Sequence, residues 1–343
     1  MKNILFLALL MPSLSHALKV TITPSADCNA AGTTCTDSIE QAERDINNDL
    51  PDVNEDDYAA GFAKSTAFAY KGMGSDYSDN FTFFVFKAAG GVAIESESGF
   101  NLEESDSVKG AAPGGALTVG LNLDLLPVDK IGPVEFKKMD LFFNFMSYSM
   151  DQDLDDMAFE GDISALGVFA RYRLMDPVDI LPGYMLEWGG IHLHTGIQRS
   201  SMDLNFSQTF NGTADAGGTT VRYDDTKAIV DIESAVTSIP IEFSTYLRTL
   251  YVLTLYGGAG LDVNMGEAEI NLDGNGTVTS DDGNTDYGTL EASGNGTGSP
   301  EATNFRAFGG VQINIPFVRV YAQVNKALGS DLIGANAGVK ILW

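Results

Sequence analysis

The stretch Leu117-Thr118-Val119-Gly120-Leu121-Asn122-Leu123-Asp124-Leu125 decides the fold. Every odd position is leucine or valine, and every even one is polar or glycine. Successive side chains of a β-strand point to opposite faces, so this is a strand with one apolar and one polar face. The period of two recurs in Met139, Leu141, Phe143 and Phe145, and in residues 166–174, 251–265, 305–315, 318–326 and 333–343. Ten strand regions follow: 81–95, 114–125, 136–150, 162–174, 184–206, 228–247, 250–265, 305–315, 318–326 and 333–343. Nearly all reach the roughly 9–11 residues that a strand needs to cross a bilayer. Their connections alternate in length. Residues 247–250 and 316–317 are tight turns, whereas 151–161, 207–227 and 266–304 are long, polar and rich in glycine and aspartate.

The chain opens with Lys2, an apolar run from Ile4 to Leu10, and Ser15-His16-Ala17. This reads as a secretory signal peptide, residues 1–17, cut after Ala17. Cys28 and Cys35 are the only cysteines of an exported chain, so a local disulfide is expected ahead of the first helix. That helix starts with Asp37 as N-cap and Glu40 three residues on, and carries Ile39, Ala42, Ile46 and Leu50 at helical spacing. A second helix, about 56–71, has Ala59, Phe62, Ala63, Thr66 and Tyr70 on one face. Residues 18–78 are thus a mainly helical segment, either periplasmic or a plug, and 79–343 form the β-domain.

The chain ends Asn336-Ala337-Gly338-Val339-Lys340-Ile341-Leu342-Trp343. Asn336, Gly338, Ile341 and Trp343 occupy the polar, glycine, apolar and aromatic positions of a known assembly signal. With the signal peptide and the amphipathic strands, the chain resembles the outer-membrane β-barrel proteins of Gram-negative bacteria. The resemblance implies an all-β fold, an antiparallel transmembrane barrel of about ten strands (roughly 8–14) with a short N-terminal helical segment. It also implies insertion by the barrel-assembly machinery among outer-membrane lipid and lipopolysaccharide. If Trp343 ends at the periplasmic side, ten strands put the N-terminus in the periplasm and the long loops outside. A soluble β-sandwich is the competing fold, but it rarely has strands this long.

With 47 acidic and 20 basic residues the formal charge is −27, which argues against a nucleic-acid partner. Three histidines and two cysteines exclude a zinc-finger or iron–sulfur protein. No nucleophile-elbow or zinc-protease motif is present, so no enzyme activity is expected. His192 and His194 share the lumen face, as do Asp124, Asp140, Glu242 and Asp262 against Arg171, Arg173, Arg306, Arg319 and Lys340. In a small barrel such groups pair and fill the interior.

In the third long loop, residues 271–282 resemble a twelve-residue calcium loop. Asn271, Asp273, Asn275, Thr277, Thr279 and Asp282 would be its ligands, with Gly276 at the sharp turn. No other cofactor is expected. Two functions remain open. One is a structural or surface-interaction role, adhesin-like, with the loops meeting an extracellular ligand or host surface. The other is a narrow, porin-like channel for small polar solutes or ions.

Overall fold

In a computed structural model, residues 19–342 are described except 32, 50–54, 97–107, 128–129, 155–156, 182–184, 217–218, 281–282 and 284. The signal peptide and Trp343 lie outside the described residues.

Ten antiparallel strands close into a barrel. They are β2 (Phe84–Ser96), β3 (Val108–Asn122), β6 (Met139–Leu154), β7 (Met157–Met175), β10 (Ile191–Ala216), β11 (Thr219–Thr249), β12 (Leu253–Ser280), β14 (Thr303–Ile315), β15 (Val318–Ala327) and β16 (Leu332–Leu342). The ring closes where the last strand, β16, pairs with the first, β2, and the long strands β11 and β12 are joined in the same ring. Small strands elaborate the end where the C-terminus lies: β4 (Lys130–Ile131) with β5 (Val134–Glu135), and β8 (Val178–Leu181) with β9 (Leu186–Trp188). The tight turns at that end are 250–252, where Leu250 and Tyr251 adopt positive φ, and 316–317, where Phe317 does. This is the left-handed geometry that lets a short connection follow the strand twist. We call it the turn end, and the opposite one the tip end.

Ten strands were expected, but the wall is uneven. On one side β10, β11 and β12 run for 26, 31 and 28 residues. On the other, β14, β15 and β16 run for only 13, 10 and 11. The expected long loops are therefore mostly strand. The β6–β7 and β10–β11 hairpins stay paired as far as Leu154–Met157 and Ala216–Thr219, and 266–304 contains the upper half of β12 and a further strand, β13 (Asp286–Gly298).

Cross-strand rows explain both the length and the misreading. Outward side chains on β7, β10, β11 and β12 make the row Val168–Ile197–Ile239–Val263. Six residues further toward the tips, the corresponding row is Asp162–Asp203–Glu233–Glu269. Inward, the change runs the other way. Gly167, Gln198, Ser238 and Asn264 give way to Gly161, Leu204, Ile232 and Ile270. Between the two rows the alternation keeps its phase; only its polarity inverts. A lipid-facing strand needs apolar residues outside, and a water-facing one needs them inside. The lower wall is thus built for lipid and the upper wall for water.

The upper chamber holds an apolar helix, α3 (Glu55–Ala69), among Phe159, Ile163, Met202, Leu204, Ile232 and Ile270. From Ala59 to Ala69 nearly every residue of α3 is buried, Ser65 and Thr66 included, so the helix is enclosed on most sides rather than on the single face expected; Lys64 reaches Glu95 and Glu301 at 3.2 and 3.6 Å. Close approach is allowed by glycine. A Cβ on Gly110 would sit 2.3 Å from the Gly61 backbone, and one on Gly298 would sit 2.0 Å from Ala60 N. Residues 70–79 continue as buried coil down the polar lower lumen, and β2 starts at the turn end. Residues 55–79 therefore fill the lumen as a plug.

The remaining N-terminal elements are β1 (Lys19–Pro24), α1 (Ala26–Ala31) and α2 (Thr33–Asp49). β1 pairs with β13 from Lys19–Ser293 to Pro24–Gly288, and α2 packs on β1 and reaches β10. Asn47 and Glu43 of α2 accept from the Val20 and Ile22 amides at 2.9 and 3.0 Å, covering the free edge of β1. Cys28 and Cys35 are bonded, as expected. They link α1 to α2, however, because α2 begins at Thr33 rather than at Asp37. This unit sits at the tip end. The expectation of a periplasmic N-terminus together with extracellular loops is thereby contradicted, since both lie at the same end. Counting strands gives the right end for Phe84, but residues 55–83 cross back through the lumen.

Candidate functional site

Two places concentrate polar groups: the seam between plug and lower wall, and the outward face of the upper wall.

At the seam the plug supplies what the wall lacks. Lys340 of β16 binds both carboxylate oxygens of Asp76 at 2.6 and 2.7 Å and Asp79 at 2.9 Å. Arg171 of β7 pairs with Asp140 at 2.6 Å and donates to the Asp76 and Asp79 carbonyls at 2.8 and 2.6 Å. Lys87 donates to the carbonyls of Ser75 and Gly72 at 2.6 and 3.1 Å. A second cluster joins Lys71 of the plug to Asp262 at 3.0 Å, and Asp262 to Arg306 at 2.9 Å. Arg306 also pairs with Glu242, which accepts from Tyr77 at 2.6 Å.

Of the expected lumen charges, Asp140, Glu242, Asp262, Arg171, Arg306 and Lys340 are buried there and paired. Asp124 is not. It falls in a short 3-10 turn at Leu123–Leu125 that ends β3, and it is exposed. Asp76 and Asp79 are the partners the sequence reading missed. The available signal was a surplus of lumen bases without wall acids to match.

His192 and His194 do share the lumen face. His194 hydrogen-bonds with Ser75 and Ser244, each at 2.7 Å, and His192 with Asn80 at 3.2 Å. They thus fasten the plug. The voids beside Tyr70 and Tyr77, and beside Ser75 and Lys87, measure about 10 Å3 each, room for about one water molecule.

The outward face of the upper wall is acidic. Three successive rows read Ser164–Ser201–Ala235–Glu267, Asp162–Asp203–Glu233–Glu269 and Glu160–Asn205–Asp231–Asn271. They hold seven carboxylates and no lysine or arginine. The middle row sets four acids side by side on adjacent strands about 4.8 Å apart, an arrangement that costs stability. Ser149 donates to Asp162, Asn205 to Asp231, and Asn271 to Glu269 at 3.1 Å.

The expected calcium loop is corrected here. Residues 271–280 are strand, paired with β11 on one side and β13 on the other. Asn271, Asp273, Asn275, Thr277 and Thr279 follow one another along a single outward face, spanning roughly 27 Å at about 3.4 Å per residue. They cannot converge on an ion that needs oxygens at about 2.3–2.6 Å. The glycine-rich spacing that mimics a calcium loop instead serves a strand squeezed between neighbours: a Cβ on Gly276 would meet Thr226 Oγ1 at 2.3 Å. Asp282 lies outside the described residues. Among the described residues no group of three or more His, Cys, Asp or Glu is placed to hold a metal. Of the assembly signal, Asn336 faces the lumen and donates to the Lys71 carbonyl at 2.9 Å, while Ile341 faces outward. A Cβ on Gly338 would lie 2.8 Å from the Tyr321 ring.

No curated protein matches the chain. Solved structures with partial likeness are outer-membrane proteins. The translocator domain of autotransporter NalP from Neisseria meningitidis shares 11% identity at TM-score 0.33, covering 76% of this chain and 89% of that one. Ail of Yersinia pestis, in complex with the heparin analogue sucrose octasulfate, shares 11% at TM-score 0.24, covering 75% and 96%. CarO of Acinetobacter baumannii shares 12% at TM-score 0.24, covering 74% and 97%. At such scores the barrel assignment rests on the strand pairing above. A family model described as Lsa36-like matches residues 16–343. A match over nearly the whole chain places this protein in the Lsa36-like family.

Proposed function

We propose that the protein is a non-enzymatic surface-interaction barrel of the bacterial outer membrane, with its tip end outside the cell. Its upper wall presents the acidic face to a cationic partner, such as a basic protein surface. The observation that carries this reading is the row Asp162–Asp203–Glu233–Glu269. Four carboxylates held side by side repel one another, and a cationic ligand would relieve that repulsion. Among anionic lipopolysaccharide the same face calls for bridging divalent cations. The C-terminal signal supports delivery by the barrel-assembly machinery.

The channel reading has one feature in its favour, the mixed charge of the lumen. Those charges are engaged by the plug, however, which leaves it the weaker of the two.

The test uses a fluorescent polylysine probe on cells displaying the protein. Neutralising the row (Asp162→Asn, Asp203→Asn, Glu233→Gln and Glu269→Gln together) should abolish protein-dependent binding, and added salt should weaken the wild-type signal. Binding that survives the four substitutions would reject the reading.

A further inference from the structure

The N-terminal unit precedes the barrel in the chain yet docks beyond its far end. Lys19–Pro24 extend the sheet at β13, which on its other side pairs with the upper half of β12. From there the chain descends through the ring. Glu55 lies against Gly296 near the tips, Ala69 against Gly114, Met73 against Gly91, and Asp76 against Lys340. Phe84 then begins the first barrel strand at the turn end, beside the C-terminal strand.

We infer that the barrel displays its own N-terminal unit on the outer surface, on a tether threaded through the lumen. This rests on the reading that the tip end faces outward.

Two observations argue that threading is the designed state. First, the tether changes character where the lumen does. The apolar helix α3 fills the apolar upper chamber, and the polar coil 70–79 fills the polar lower one. Reversing the direction of entry would set Asp76 and Asp79 among Leu204, Ile232 and Ile270, where buried charge has no counter-ion. Second, the unit is built to rest at the tips. β1 completes a β-ladder with β13, and α2 closes the exposed edge of β1 with Glu43 and Asn47. Val20, Ile22, Cys28 and Ile39 bury their side chains against Val278 and Ala292 of the barrel's own hairpin. Residues 19–49 therefore belong to the surface offered to the surroundings, next to the acidic face. The tether that carries them also seals the pore, so one segment serves both purposes.

The test needs no substitution. Cells displaying the full chain are treated with a membrane-impermeant amine-reactive reagent, and labelled lysines are mapped by peptide mass spectrometry. Lys227 is exposed near the tips, Lys137 near the turn end, and Lys19 on β1. In intact cells Lys19 and Lys227 should label to a similar extent. Lys137 should label only after permeabilisation. If Lys227 labels in intact cells while Lys19 needs permeabilisation, the display is overturned and the outward acidic face survives. If Lys137 labels in intact cells and Lys227 does not, the orientation is inverted, and both this inference and the proposed function fail.

Discussion

The two halves of the long wall share strands, register and alternation, yet they are opposite materials. Around the row Val168–Ile197–Ile239–Val263 the wall is apolar outside and carries Gln198, Ser238 and Asn264 inside. Six residues higher it is acidic outside and apolar inside. The backbone is the same, so the difference reports the solvent each face meets: lipid below, water above. It also dictates what fills the lumen. A polar lower lumen takes a charged coil, and an apolar upper lumen takes an apolar helix.

The largest expected effect comes from unpairing the lower seam. Arg306→Met leaves Glu242 and Asp262 buried without their shared guanidinium, and removing one partner of a buried ion cluster typically costs about 3–5 kcal/mol. The temperature at which the barrel loses its compact gel mobility should fall clearly. An unchanged transition would mean that the plug does not occupy the lower lumen as described.

A sharper contrast comes from placing one charge on each half. Phe243 is outward on the lower wall of β11, and Glu233 is outward on the upper wall of the same strand. Phe243→Lys should cost about 2–4 kcal/mol if Phe243 sits near the bilayer midplane. Glu233→Lys, on a water-exposed face crowded with acids, should be neutral within about 0.5 kcal/mol or slightly stabilising. Denaturant titration of refolding into lipid vesicles measures both. Equal costs would erase the distinction between the halves.

The alternation made the ten crossings legible in sequence, because lipid-facing strands repeat apolar residues at every second position. The upper halves were illegible for a physical reason. Once the outward face turns polar, the leucine-rich stripe passes to the inner face and the surface residues become Asp, Glu, Asn and Ser, which read as loop. Residues 271–280 show the error most plainly, since Gly274 and Gly276 punctuate what is a paired strand. The helix over 55–69 was legible, and its run of small and aromatic residues from Ala59 to Ala69, broken only by Lys64, Ser65 and Thr66, was the unread sign that it is enclosed. The partners of Lys340 and Arg171 were not legible. Asp76 and Asp79 lie in irregular coil, and only the fold brings them beneath those bases.

The smallest effect on the barrel should come from the N-terminal unit. Replacing both Cys28 and Cys35 with serine opens a short loop worth about 2–3 kcal/mol at most by chain entropy. That loss falls on α1 and α2. The unit should become more sensitive to protease, while the heat-dependent mobility shift of the barrel stays where it was. A lowered barrel transition would show that the unit and the barrel fold as one body.

The central claim is that residues 55–83 close the lumen, and single-channel recording of the purified full chain in planar bilayers tests it most directly. The account predicts no steady conductance from the intact protein, and open channels after excision of residues 55–79. Stable, ion-conducting openings of the intact chain at low voltage would contradict it.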